Sequence, residues 1–105
     1  PRYWAKTILV LPNVDTLTRA DVSAFTLKYN NSAVLKEHWQ DNYSDNAMRL
    51  WEEVKQAYEN KEEKKYSIDE LIFALNYDFA VMPYQNDNDD LGFYKWIFLE
   101  ISKLS

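Results

Sequence analysis

Residues 93–101, FYKWIFLEI, decide the fold, and they read two ways. As an extended strand they place Phe93, Lys95, Ile97, Leu99 and Ile101 on one side. As a helix they gather Phe93, Trp96, Ile97, Ile101 and, further on, Leu104 into one stripe. Their aromatic and β-branched content favours a strand. Periodicity alone does not choose.

A pairing argument tips the balance. Residues 3–11, YWAKTILVL, are rich in aromatic and β-branched side chains and stop at Pro12, which reads as a strand. A lone strand leaves its backbone N–H and C=O groups without partners. The β-prone candidates elsewhere are 78–84 and 93–101. A hairpin of these two, joined by an acidic loop, supplies the partner. The expected fold is therefore α+β: an N-terminal strand, about four helices, and a C-terminal β-hairpin forming a small antiparallel sheet. The alternative is mainly all-α, with the N-terminal strand misread or paired across a dimer.

The helices between are marked by their caps. Thr18-Arg19-Ala20-Asp21 has the capping-box form, with Asp in place of Glu. A helix follows to about Tyr29, with Val22, Phe25 and Tyr29 on one face. Ser32 caps a short helix carrying Leu35 and Trp39. Ser44 or Asp45 caps the clearest helix, in which Ala47, Leu50, Trp51, Val54 and Tyr58 recur at three- and four-residue steps. Glu52, Glu53, Lys55 and Gln56 take its other side. Ser67 and Glu70 form a full capping box ahead of Ile68, Leu71, Ile72 and Leu75. That helix ends either at Asn76, as a left-handed cap, or nearer Pro83, because Phe79 and Met82 continue its stripe.

With 105 residues the chain reads as a single compact domain over 1–105. Seventeen aromatics give a small core large buried areas. The absence of cysteine excludes disulfides, thiol nucleophiles and thiolate metal sites, and suits the cytoplasm. No apolar run approaches the roughly 18 residues of a membrane span. Gly92 is the one glycine, so no glycine-rich phosphate cradle can form.

Charge is unevenly spread. Residues 1–31 carry four bases and two acids, 32–66 six and eight, and 67–105 two and seven, for a net −5. An acidic surface disfavours direct nucleic-acid binding and anionic membranes, both of which require a Lys/Arg face. A basic protein partner suits it.

Candidate chemistry is sparse. His38 is the sole histidine, with no nucleophile motif around it, and cannot alone build a zinc site. The stretch 86–90, NDNDD, resembles a calcium loop only superficially: no register places Gly sixth and Glu twelfth with oxygen ligands between them. A free amine on Pro1 could act as a base at the head of a strand, but the strand-helix-strand repeat that goes with that chemistry is missing. Glu52, Glu53, Glu62 and Glu63 read as a solvated face, and Asp69 and Glu70 as first-turn acids favoured by the helix dipole. No catalytic residue, metal or cofactor is expected, and the chain is expected not to be an enzyme.

The partner-binding expectation falls on Tyr84, Asp87, Asp89, Asp90 and Tyr94. Aromatic anchors among carboxylates suit a protein interface, since Tyr supplies buried area and acids steer the encounter. By composition this is the profile of a small immunity protein or antitoxin, a phage-type inhibitor, or a mimic of the DNA backbone. The alternative is an assembly subunit, including a homodimer.

Overall fold

A computed structural model describes residues 9–29, 43–82 and 91–105. Four helices form in these segments: α1 over Arg19–Tyr29, α2 over Tyr43–Asn60, α3 over Ile68–Val81 and α4 over Gly92–Leu104. A single 3₁₀ turn, Val14–Thr16, precedes α1. Among the described residues there is no strand.

The expected α+β fold is thus corrected to an all-α one, the alternative reading. Residues 93–101 lie within α4, and 78–81 are the last turn of α3. The physical reason is which side chains get buried. In α4 the buried set is Phe93, Tyr94, Ile97, Phe98 and Ile101, at helical spacing. A strand would have sent Tyr94 and Phe98 to the face opposite Ile97 and brought Lys95 and Leu99 inward. Lys95 is exposed and Leu99 about half exposed in the helix. Each large apolar side chain withdrawn from water contributes about 1.5–3 kcal/mol, which outweighs a β propensity spanning about 1 kcal/mol. A helix also satisfies its own backbone groups, so α4 needs no pairing partner. The strand reading at 3–11 lies outside the described residues except for 9–11, which are not extended into a sheet.

Two of the caps act as read, at Thr18 and Ser67. The expected Ser44 or Asp45 cap is corrected, because α2 already begins at Tyr43, and the short helix expected after Ser32 lies outside the described residues. Thr18 N–H donates to Asp21 Oδ2 at 3.1 Å, and Asp21 N–H returns to Thr18 Oγ1 at 3.2 Å. At α3, Ser67 N–H donates to Glu70 Oε1 at 2.9 Å and Glu70 N–H to Ser67 Oγ at 3.2 Å. Asn76 does not end α3. Its Nδ2 donates to the Ile72 carbonyl at 2.8 Å from within the helix, and the chain leaves only at Met82. The end of α2 is a paired turn: Glu62 N–H reaches the Ala57 carbonyl at 2.9 Å and Lys61 N–H the Tyr58 carbonyl at 3.3 Å. Lys61 adopts φ 56° to close it, a left-handed position usually given to glycine.

One core joins the four helices. It runs from Val22 and Phe25 through Ala47, Leu50 and Val54 to Leu71, Ile72, Leu75, Ile97 and Ile101. Phe25 meets Phe98 edge-on, with ring centres 4.9 Å apart, and so fastens α1 to α4. Tyr58 packs on Phe93 at 5.6 Å and fastens α2 to α4. Before α1, the Val10 N–H donates to the Tyr29 hydroxyl at 3.1 Å, which ties the preceding segment to the far end of that helix.

Replacing Ser67 with Ala removes one half of the α3 capping box. The expected outcome is a loss of about 1 kcal/mol of stability, read as a lower urea midpoint with an unchanged slope.

Candidate functional site

A buried ionic cluster centres on Asp78. Its side chain is fully enclosed. Lys55 Nζ donates to Oδ2 at 2.6 Å and Trp51 Nε1 to the same oxygen at 2.8 Å. Tyr94 OH donates to Oδ1 at 2.7 Å. The donors come from α2 and α4, the acceptor from α3. Trp51 and Lys55 stand one turn apart on α2, so both reach the same point. The Lys55 ammonium also lies 5.6 Å from the Trp51 ring centre and 5.2 Å from that of Phe93. It is bound on one side by a carboxylate and on the other by aromatic faces.

Chemically this arrangement holds position. Both oxygens of Asp78 accept hydrogen bonds from the protein, so its lone pairs are committed inside the core. Burial of an ionised carboxylate is tolerated because donors from two other helices compensate it.

Tyr66 shows the opposite situation. Its hydroxyl is enclosed and has no hydrogen-bond partner. Burial, then the charges of Glu53 and Glu70, push its pKa up to about 12. The phenol is therefore held neutral in a patch of carboxylates.

Two cavities open on the surface near these groups. One, about 300 Å³, is lined by Trp51, Glu52, Lys55, Gln56, Glu59 and Met82. The other, about 470 Å³, lies over Tyr58 and Trp96, with lysines and glutamates around its rim. In the second, Lys64 and Lys103 pair with glutamates. Lys103 Nζ lies 2.8 Å from Glu100, and Lys64 Nζ 3.5 Å from Glu62 and 3.9 Å from Glu53.

The expected site residues fare unequally. Tyr84, Asp87, Asp89 and Asp90 lie outside the described residues, as do His38, Pro1 and the whole stretch 86–90. Tyr94 is described and is fully buried. It is a core group bonded to Asp78 rather than an exposed anchor, because the helical phase of α4 turns it inward. Glu52, Glu53, Glu62 and Glu63 are exposed, as a solvated face requires. Glu70 serves the α3 cap. Among the described residues no group of three or more His, Cys, Asp or Glu side chains could hold a metal ion, and no helix is long and apolar enough to cross a membrane.

The sequence reading missed Asp78, Lys55 and Trp51 as a unit. A signal was present. Asp78 stands three residues after Leu75 and seven after Leu71, on the buried stripe of α3. A charge on such a stripe calls for a partner. Comparison with protein-family profiles, curated proteins and solved structures finds no match to this chain.

Replacing Asp78 with Ala leaves a lysine ammonium, an indole N–H and a phenol without their acceptor. The expected cost is about 3–5 kcal/mol in urea unfolding. Tyr94→Phe, which removes a single donor, is expected to cost about 1–2 kcal/mol. Equal losses from the two would contradict the shared-acceptor arrangement.

The Tyr66 phenol gives a pH prediction. Its folded pKa, about 12, exceeds the ordinary value of 10.0. Its contribution is therefore fully present below about pH 10 and lost as pH rises towards about 12. Thermal melts of wild type and Tyr66→Phe across this window are expected to differ in slope, the wild type falling more steeply.

Proposed function

We propose that the protein is a non-catalytic binding module whose acidic stretch 86–90 engages a basic surface of a partner protein. The observation that supports this most is the mounting of that stretch. It connects α3 to α4, and those helices are joined by the buried Tyr94–Asp78 hydrogen bond of 2.7 Å. The described residues on either side of it, up to Met82 and from Leu91, thus border helices clamped to one another. A segment with fixed ends loses less freedom on association, which favours binding. The charge excess supports the same reading, with seven acids against two bases over residues 67–105.

In this proposal Tyr84, Asp87, Asp89 and Asp90 make the contact, and Tyr94 holds the mount. The partner class is a basic protein such as a nuclease-like toxin, whose phosphate-binding face the carboxylates would mask. The proposed setting is the cytoplasm, which the cysteine-free composition suits.

The test is retention of basic proteins from host extract on the immobilised chain, followed by association kinetics with the retained protein. The Asp87→Asn, Asp89→Asn, Asp90→Asn triple variant is expected to associate about tenfold more slowly at low salt, with a flatter salt dependence. Identical kinetics for the two proteins would remove the acidic stretch from the interface.

A further inference from the structure

The cavity beside the Asp78 cluster has a chemistry of its own. Glu52, Gln56 and Glu59 are spaced four and three residues apart, so they line one stripe of α2. All three are exposed. Glu52 and Glu59 stand about 10 Å apart along the helix axis, at the two ends of the cavity. Among the described residues neither pairs with a cation. Lys55 also borders the cavity, but its charge is matched by Asp78 at 2.6 Å. The cavity therefore carries two uncompensated negative charges. Its apolar lining is the half-buried Trp51 and Met82.

Carboxylates at each end, an aromatic surface and an amide between them make a receptor for a flat, delocalised cation. Guanidinium presents N–H donors in a plane, pairs with carboxylates in a fork, and stacks on indole. An ammonium shares the charge but not the plane. The volume of about 300 Å³ is ample for one such side chain. The cavity also borders Met82, the last described residue before the stretch that carries Asp87, Asp89 and Asp90.

We infer that this cavity is the seat for an arginine side chain of the basic partner protein. The inference rests on the proposed binding function and gives it a second, separately testable contact. The guanidinium packs beside the exposed part of Trp51, whose ring already carries the Lys55 ammonium at 5.6 Å and meets Tyr77 at 5.3 Å, and Glu52 and Glu59 accept its hydrogen bonds.

The test uses the full chain and three capped tripeptides, Gly-Arg-Gly, Gly-Lys-Gly and Gly-Leu-Gly, followed by NMR. The arginine peptide is expected to shift the Trp51 indole N–H and the backbone amides of 52–59 saturably. The indole signal is identified by its loss in Trp51→Phe. Glu52→Gln with Glu59→Gln, both exposed positions that leave the core untouched, is expected to weaken binding about tenfold. Equal shifts from the leucine peptide, or no effect of the double substitution, overturns the inference. So do shifts in the same residues on concentrating the chain alone, which would assign the cavity to a second copy.

The two proposals fail separately. A retained partner whose affinity responds to the triple aspartate substitution, but not to Glu52→Gln with Glu59→Gln, removes the cavity and keeps the binding function. A saturable arginine response in a chain that retains no basic partner removes the binding function and the partner named for the cavity, and keeps only its recognition of guanidinium.

Discussion

A buried carboxylate constrains everything around it. Asp78 has no contact with water, so its charge must be answered from within the protein. The answer comes from Lys55, Trp51 and Tyr94, on the two helices that flank α3. Hydrophobic packing alone is tolerant of rotation and sliding, because many arrangements bury similar area. Three hydrogen bonds to two oxygens admit far fewer. The cluster thereby selects the rotation of α4 about its axis that turns Tyr94 inward, and the register of α2 that brings Trp51 and Lys55 together. The apolar core supplies the driving force, and the carboxylate determines which packing it settles into.

The same cluster explains an ambiguity in the sequence. Residues 93–101 contain enough apolar side chains for either a strand or a helix. Nothing local separates the two, since the discriminating partner is Asp78, fifteen to twenty-three positions away in the chain. Helix ends were easier to read. Ser67 with Glu70, and Thr18 with Asp21, form their hydrogen bonds within four residues, so short-range spacing suffices. The stripe of α2 was equally plain, because Ala47, Leu50 and Val54 are buried by a period the sequence displays openly. The hairpin expectation failed because it began from residues 3–11 as a strand and asked what would pair with it. Helices ask no such question of their neighbours.

The functional surface was legible only in outline. Charge asymmetry can be counted from residues alone, and it located the acidic last third. Which tyrosines meet solvent cannot be counted in this way. Tyr94 neighbours the acidic stretch in sequence but belongs to the core, since one residue of helix turns a side chain by about 100°. Conversely, Glu52 and Gln56 looked like an ordinary solvated face, and Glu59 was not singled out. They acquire a distinct character only when Trp51 and Met82 close the floor beneath them and Asp78 neutralises Lys55.

The bond from the Val10 N–H to the Tyr29 hydroxyl is of a different kind from these. It holds the chain by its backbone, so it does not depend on the side chain at position 10, which is largely exposed. Almost any residue there preserves the attachment; proline, lacking the N–H, is the exception. The segment before α1 can therefore change its surface character through evolution while remaining moored at the same point. Tyr29 carries the requirement of that bond, while Leu9, Leu11 and Leu17 hold the same segment by packing on the core.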